Sequence, residues 1–122
     1  MSSLMSSVAF CELLKEFQEM EADLLGFKAG EYATSDDRLQ NFREVAAFEG
    51  REMEAVCLSY LLKHVQSIKN QVVSGKPVKR WFWHDQNGNE GLKQRIADTV
   101  NYLHLMAAII EEKKARENPN GE

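Results

Sequence analysis

Apolar residues recur every three or four positions along four separate segments of this chain, which is the spacing of one face of an α-helix. Only two prolines occur among the 122 residues, and both lie outside these segments. A chain of this length can bury roughly 65% of the surface that its unfolded form exposes, which is enough for one core. We therefore predict an all-α fold, a mostly antiparallel four-helix bundle that forms a single domain over residues 1–116 and ends in a frayed tail at 117–122.

Glycines and capping residues indicate the limits of the first two helices. The first predicted helix has the apolar stripe Leu13, Phe17, Met20, Leu24 and Phe27. Gly26 and Gly30 frame its expected end. Thr34 followed by Asp37 has the spacing of a capping box, which places the start of the second helix there, and Gly50 is its expected stop.

The third predicted helix runs from residue 51 to about residue 74, and the fourth from about residue 90 to residue 116. Their apolar stripes, expected to face inward, are Met53, Cys57, Leu61, Val65, Ile68 and Val72 in the third, and Leu92, Ile96, Val100, Leu103, Ala107 and Ile110 in the fourth. A second stripe of Leu105, Met106 and Ile109 widens the apolar surface of the fourth helix beyond what one neighbour covers. Because a monomeric bundle would leave Leu105 and Ile109 exposed, we predict a homodimer or a higher homo-oligomer.

The two halves of the chain carry opposite net charge. Residues 1–61 hold 12 acidic and 5 basic residues, a balance of −7, whereas residues 62–122 hold 7 acidic and 10 basic residues, a balance of +3. This asymmetry favours a compact bundle or self-association, although helix faces of uneven composition would also produce it. The overall charge of −4 argues against duplex nucleic acid as a partner.

Neither a membrane span nor a secretory signal is expected. No run approaches 18 apolar residues, and the opening residues lack the basic region and the long apolar region of a signal peptide. Cys11 and Cys57 each stand alone within an apolar helical pattern. We therefore expect two buried, reduced thiols in a cytoplasmic protein, with neither a disulfide framework nor a zinc site.

A connection of 16 residues, Gly75–Glu90, separates the third and fourth predicted helices and combines basic with aromatic side chains. Lys79 and Arg80 can bind phosphate, and Trp81 and Trp83 offer rings on which a base can stack, at roughly 1–3 kcal/mol per base. This long aromatic and basic loop is therefore a candidate ligand-binding segment. The alternative is that the rings pin the loop onto the bundle or fill a subunit interface.

Lys63 and His64 on the third predicted helix are further candidates for ligand binding. His64 lies near the buried side of that helix, where a histidine is either a ligand contact or a hydrogen-bonded core residue. The other histidines, His84 and His104, show no metal-ligand spacing with it. No metal site is therefore favoured.

Arg95, Asp98, Asn101 and Tyr102 share one face of the fourth predicted helix, at positions i, i+3, i+6 and i+7. The guanidinium can bind a phosphate through two hydrogen bonds, while the carboxylate and the carboxamide can hold a ribose hydroxyl or a hard cation. The alternative is structural, with an ion pair between Arg95 and Asp98 and an interhelical hydrogen bond from Asn101. Both interpretations remain open at the level of sequence.

Three segments carry a family resemblance: Asp37–Phe42, Lys63–Ile68 and Asp98–Leu103. Together they resemble small phage-encoded all-α proteins that are similar to the first nucleotide-modification-associated domain family and, more distantly, to the MazG-like nucleotide pyrophosphohydrolases. The resemblance spans roughly residues 30–112, and its most specific piece is the Asp-x-x-Asn-Tyr turn of the fourth helix. It implies an all-α fold and a nucleotide as the ligand.

The same resemblance implies a departure from the hydrolytic relatives. MazG-like enzymes hold Mg²⁺ with the acids of an ExxE and an ExxD motif, because several carboxylates must gather the ions that neutralise the phosphates and activate water. Asp98 matches the closing acid of ExxD, but Arg95 stands where the family has glutamate. Glu49 and Glu52 have ExxE spacing, although Gly50 is expected to break the helix between them. A guanidinium in place of a metal ligand argues against metal-assisted hydrolysis and leaves phosphate binding open.

Three functions follow as hypotheses. The favoured one is non-catalytic binding, or sequestration, of a nucleotide or nucleotide-derived signal by a phage counter-defence protein, with no cofactor. The second is a Mg²⁺-dependent nucleotide pyrophosphohydrolase that uses Glu49, Glu52 and Asp98 as metal ligands. The third is a helical protein–protein interaction module that acts through its aromatic loop.

Overall fold

The computed structural model describes residues 4–32, 37–73, 83–84, 91–118 and 120. Within these residues it contains four helices and no strand, and the helices are α1 (Ser7–Tyr32), α2 (Gln40–Glu49), α3 (Met53–Val73) and α4 (Leu92–Glu117). The predicted all-α four-helix fold is therefore confirmed. None of the described helices is both long and apolar enough to cross a membrane.

The α2–α3 turn follows the sequence prediction, whereas the start of α2 does not. Gly50 ends α2 in the left-handed conformation, at φ 66°, which a glycine adopts without steric cost. The capping-box prediction was wrong, because α2 begins at Gln40, several residues after Asp37. The Asp37 carboxylate instead accepts a hydrogen bond from the backbone N–H of Leu39, at 3.0 Å. Thr34 lies outside the described residues.

Helix α1 is longer than predicted and packs beside α4. It continues to Tyr32, so Gly26 is an internal residue and not a helix end; a single glycine inside a helix costs about 1 kcal/mol and does not terminate it. Lys93 pairs with Glu16, and further along both helices the Asn101 side chain donates to the Glu21 carbonyl. The residue numbers of these contacts increase along both helices, so α1 and α4 run in the same general direction.

The core lies among α2, α3 and α4. Its buried members are Leu39, Phe42, Ala46, Val56, Cys57 and Ile109. The rings of Phe42, Tyr60 and Tyr102 meet at this core with centroid separations of 5.8 to 6.4 Å. Cys57 is buried as predicted, whereas Cys11 is exposed, which contradicts the prediction of two buried thiols.

At its start α4 follows the prediction, with Leu92 buried, but further along the helix the predicted orientation is wrong. Leu103, from the stripe expected to face inward, is 50% exposed, whereas Ile109, from the second stripe, is 1% exposed. Leu105 is half-buried against the core, so the expectation that a monomer would expose Leu105 and Ile109 was wrong. The physical reason is that α4 presents Tyr102 and Ile109 to α2 and α3, which turns Leu103 and Ile110 of the first stripe toward solvent. Predicted inward positions near the end of α3 are likewise exposed, namely Val65 and Val72.

Candidate ligand-binding cleft

A cleft with a volume of about 400 Å³ lies between α3 and α4. Its described lining consists of Tyr60, Lys63 and His64 from α3 and Arg95 and Tyr102 from α4. The spacing of each helix explains this grouping, since the α3 residues stand at i, i+3 and i+4 and the α4 residues at i and i+7. The structure thus brings together four of the residues that the sequence singled out.

Aromatic rings form one wall of the cleft and are anchored in the core. The ring centroids of His64 and Tyr102 are 5.0 Å apart and their planes are tilted by 31°. Tyr60 approaches Tyr102 edge-on at 6.1 Å and contacts Phe42 of the core at 5.8 Å. Because core packing holds these rings, they give the cleft a wall of fixed position.

Two cations, one from each helix, complete the described lining of the cleft. Lys63 is exposed and Arg95 is half-buried. The Nε atom of Arg95 is buried and has no hydrogen-bond acceptor among the described residues. A guanidinium N–H buried without an acceptor is costly, and an oxyanion bound in the cleft offers the strong, charge-assisted acceptor that would offset this cost.

Asp98 and Asn101 are buried and do not belong to the described lining of the cleft. The structure shows no ion pair between Arg95 and Asp98, although it describes both residues. Asn101 donates its side-chain Nδ2 to the Glu21 carbonyl at 3.1 Å and so forms the interhelical hydrogen bond that the sequence had left open. The predicted contact of Asp98 and Asn101 with a ligand therefore gains no support from this geometry and stays a prediction.

Trp83 fixes part of the connecting segment onto the bundle. Its ring packs edge-on against Phe17 of α1, with centroids 6.3 Å apart, and its carbonyl accepts the backbone N–H of Lys93 at 3.0 Å. The Lys93 Nζ lies 5.9 Å from the centroids of both rings and pairs with Glu16. Trp83 therefore follows the alternative in which an aromatic ring pins the loop onto the bundle. Lys79, Arg80 and Trp81 lie outside the described residues, so their predicted ligand contacts stay predictions.

The three acids of the hydrolase hypothesis occupy different environments. Glu49 pairs with Arg51 at 3.0 Å, Glu52 lies 3.8 Å from the Lys113 ammonium, and Asp98 is buried. Among the described residues, no group of three histidine, cysteine, aspartate or glutamate side chains is placed to hold a metal ion. The structure therefore does not bring this acid set together.

Tyr60 is the cleft residue that the sequence analysis missed. It precedes Lys63 by three positions and His64 by four, so helical spacing already places all three on one face. Tyr60 also lies within an apolar stretch typical of core positions, which hides this signal.

Comparisons of the chain with protein-family models, with curated proteins and with solved structures found no match. The resemblance stated from the sequence motifs therefore stays a prediction.

Proposed function

We propose that this protein binds a nucleotide or a nucleotide-derived anion in the cleft between α3 and α4, without cleaving it. The observation that carries the proposal is that two cations, Lys63 and Arg95, line one cleft together with the rings of Tyr60, His64 and Tyr102. Cations and flat rings in one cleft match the two chemical halves of a nucleotide. The resemblance in the sequence motifs supports the extension of this proposal to sequestration of a nucleotide-derived signal in the cytoplasm.

The two cations suit a phosphate group. A guanidinium presents N–H donors in a planar fork that fits two oxyanion oxygens, whereas an ammonium acts as a point charge. Lys63 is exposed and can follow a ligand, while Arg95 is held by its half-buried position. The described lining of the cleft holds no carboxylate that would repel a phosphate.

The ring wall suits the base of a nucleotide. A nucleobase that stacks on an aromatic side chain gains roughly 1–3 kcal/mol. The cleft volume of about 400 Å³ falls in the range of small-molecule sites. Tyrosine and histidine also carry hydrogen-bonding groups, which can contact the base edge or the ribose.

Binding without cleavage is favoured over the hydrolase hypothesis by the positions of the acids. Hydrolysis of a nucleoside triphosphate by Mg²⁺ ions requires carboxylates that converge on the phosphates. Glu49 and Glu52 make contacts with cations near the α2–α3 turn, and Asp98 is buried. Arg95 would place positive charge beside any ion bound next to Asp98 on the same helix.

Isothermal titration calorimetry with nucleoside mono-, di- and triphosphates in the presence of a chelator tests the proposal. We expect saturable binding that Arg95→Met and Lys63→Ala each weaken by about 10-fold or more, because a charge-assisted hydrogen bond contributes about 1.5–3 kcal/mol. Lys15→Ala removes an exposed cation of α1 and is the matched control, with unchanged affinity. Equal affinity in Arg95→Met and the wild type would contradict the proposal.

A further inference from the structure

Three side chains meet where the connecting segment reaches the start of α4. The Trp83 ring packs edge-on against Phe17 of α1, and the Lys93 ammonium lies 5.9 Å from the centroids of both rings. Lys93 also pairs with Glu16 of α1, and its side chain is only 13% exposed. We call Phe17, Trp83 and Lys93 the Trp83 cluster. Ring packing and cation–π contacts in this cluster join α1, the connecting segment and α4.

The backbone of the same segment caps α4. Gly91 is the N-cap residue of α4 and has no side chain that can accept a hydrogen bond from the first turn. The Trp83 carbonyl instead accepts the Lys93 N–H, at 3.0 Å. The approach is close, since a Cβ atom on Gly91 would lie 2.4 Å from the backbone carbon of His84. The segment therefore holds the start of α4 through a ring and through its backbone.

Arg95 lies in this first turn, on the side of α4 that faces α3. Its backbone N–H donates to the Gly91 carbonyl at 3.2 Å. Arg95 follows Lys93 by two residues, which is about 200° around the helix at 100° per residue. Lys93 accordingly contacts α1, whereas Arg95 lines the cleft together with residues of α3. The Trp83 cluster thus holds α4 from the side opposite to the Arg95 guanidinium.

Tyr102, the other α4 residue in the described lining of the cleft, is held by different contacts. It lies seven residues after Arg95, and its ring packs against Phe42 and Tyr60 in the core. A shift of the first turn of α4 therefore moves Arg95 relative to the rings and leaves Tyr102 in place. Because a charge-assisted hydrogen bond depends on distance and direction, such a shift weakens the contact between Arg95 and an anion.

We infer that Trp83 is a positioning residue of the cleft, which fixes the first turn of α4 and so places the Arg95 guanidinium for the phosphate. This inference rests on the proposed nucleotide function. It gives Trp83 a role other than the direct stacking on a base that an aromatic ring in a basic loop predicts. Docking of the connecting segment and binding of the nucleotide then favour each other, because coupling between two sites is reciprocal.

A double-mutant cycle measured by calorimetry with ATP, GTP, CTP and UTP in chelator tests this role. We expect Trp83→Ala to weaken binding by about 5- to 10-fold, because it removes a ring pair and a cation–π contact. In the Arg95→Met background the same substitution has no further effect. Trp83→Phe keeps a ring and stays within about 2-fold of the wild type.

Phe48→Ala is the matched control for the cycle. It removes a ring that is 91% exposed on α2, so the affinity stays unchanged. Wild-type affinity in Trp83→Ala would overturn the inference. So would a loss in Trp83→Ala that persists in the Arg95→Met background, because it would show a direct contact between Trp83 and the nucleotide.

Hydrogen exchange at the Arg95 side chain, measured by nuclear magnetic resonance, tests the inference without a ligand. The Arg95 Nε atom is buried and has no acceptor among the described residues, so burial is what slows exchange of its hydrogen with water. We expect Trp83→Ala to speed this exchange by about 5- to 10-fold. The Arg43 Nε–H, which donates to Asp37 at 2.9 Å, is the internal control and keeps its rate.

Phe17→Leu is a second variant that leaves the connecting segment itself unchanged. It removes the ring against which Trp83 packs, so we expect the same direction of change in affinity and in Arg95 exchange. Circular dichroism shows whether each variant retains its helices. Agreement between the two variants excludes a local defect at residue 83 as the cause.

The two measurements separate this inference from the function on which it rests. If the wild type binds none of the nucleotides, the proposed function fails, and the exchange rates decide whether Trp83 positions Arg95. If the wild type binds a nucleotide, and Trp83→Ala and Phe17→Leu change neither its affinity nor the Arg95 exchange rate, the positioning role fails and the nucleotide function stands.

Discussion

Arg43 of α2 and Glu112 of α4 form a two-point ion pair, with Nη1–Oε1 and Nη2–Oε2 distances of 2.9 Å. The same guanidinium donates hydrogen bonds to both carboxylate oxygens of Asp37, also at 2.9 Å. Hydrogen bonds from Arg43 hold the pKa of Glu112 below its usual value of 4.5, and Arg43 likewise lowers the pKa of Asp37. One arginine thus joins the segment before α2 to the last turns of α4.

Glu112→Gln tests the stabilising role of this pair. The folded-state pKa of Glu112 is lowered, so its ion pair stabilises the fold at pH values above 4.5 and loses this effect as pH falls through the lowered pKa. We expect the free energy of unfolding at pH 7, measured in urea, to fall by about 1 kcal/mol. At pH 3 we expect a smaller difference between the free energies of unfolding of Glu112→Gln and the wild type.

Glu19→Gln is the control for this experiment. Glu19 is exposed on α1, and the structure shows no ion pair for it among the described residues. The control keeps wild-type stability at both pH values. If Glu112→Gln lowers the free energy of unfolding by the same amount at pH 3 as at pH 7, the ion pair is ruled out as the cause.

Gly91→Ala tests the close approach of the connecting segment to the start of α4. A Cβ atom at this position would lie 2.4 Å from the backbone carbon of His84 and 2.5 Å from the Trp83 carbonyl oxygen. The segment must then shift, which also weakens the hydrogen bond from the Lys93 N–H. We expect a loss of about 2 kcal/mol of stability in urea denaturation.

Gly26→Ala is the matched substitution in open space. Gly26 lies inside α1, and a Cβ there meets no atom within 4 Å. Alanine at an internal helix position should raise stability by up to about 1 kcal/mol. If both alanine variants are as stable as the wild type, neither the close approach at Gly91 nor the helical state of residue 26 describes the protein in solution.

The two cysteines should differ sharply in reactivity. Burial raises the pKa of the Cys57 thiol to about 11, and its Sγ lies 3.5 Å from the Tyr102 carbonyl, whereas Cys11 is exposed. Because the thiolate is the reactive form, we expect a thiol reagent at pH 8 to modify one cysteine per folded chain and two in denaturant. Cys11→Ser leaves no rapidly reacting thiol, and rapid labelling of that variant would show that Cys57 is accessible.

Local chemistry made the helices and one of their ends predictable. Gly50 stops α2 because a left-handed residue is needed there, and that requirement can be read from the sequence. The orientation of α4 could not be read in the same way, because both its stripes are apolar. The packing of Tyr102 and Ile109 against α2 and α3 decides which stripe is buried, and periodicity within one helix contains no information on that contact.

In the candidate cleft, too, the sequence predicts the candidate residues but not how they come together. Residue type and helical spacing singled out Lys63, His64, Arg95 and Tyr102, because cations, imidazoles and phenols bind phosphates and bases. Their convergence depends on the contact between α3 and α4, which is a tertiary property. For the same reason the sequence could not show that Asn101 joins α1 instead of the cleft.

The most direct test of the central claim is ³¹P nuclear magnetic resonance of a nucleoside triphosphate mixed with equimolar protein and Mg²⁺. We expect shifted or broadened phosphorus resonances with the wild type, free-ligand resonances with Arg95→Met, and no new signals after prolonged incubation. Resonances of a nucleoside monophosphate and pyrophosphate that accumulate with the wild type would contradict binding without cleavage. If the wild type changes the phosphorus resonances of none of the nucleotides in the calorimetric series, this result would contradict the nucleotide site itself.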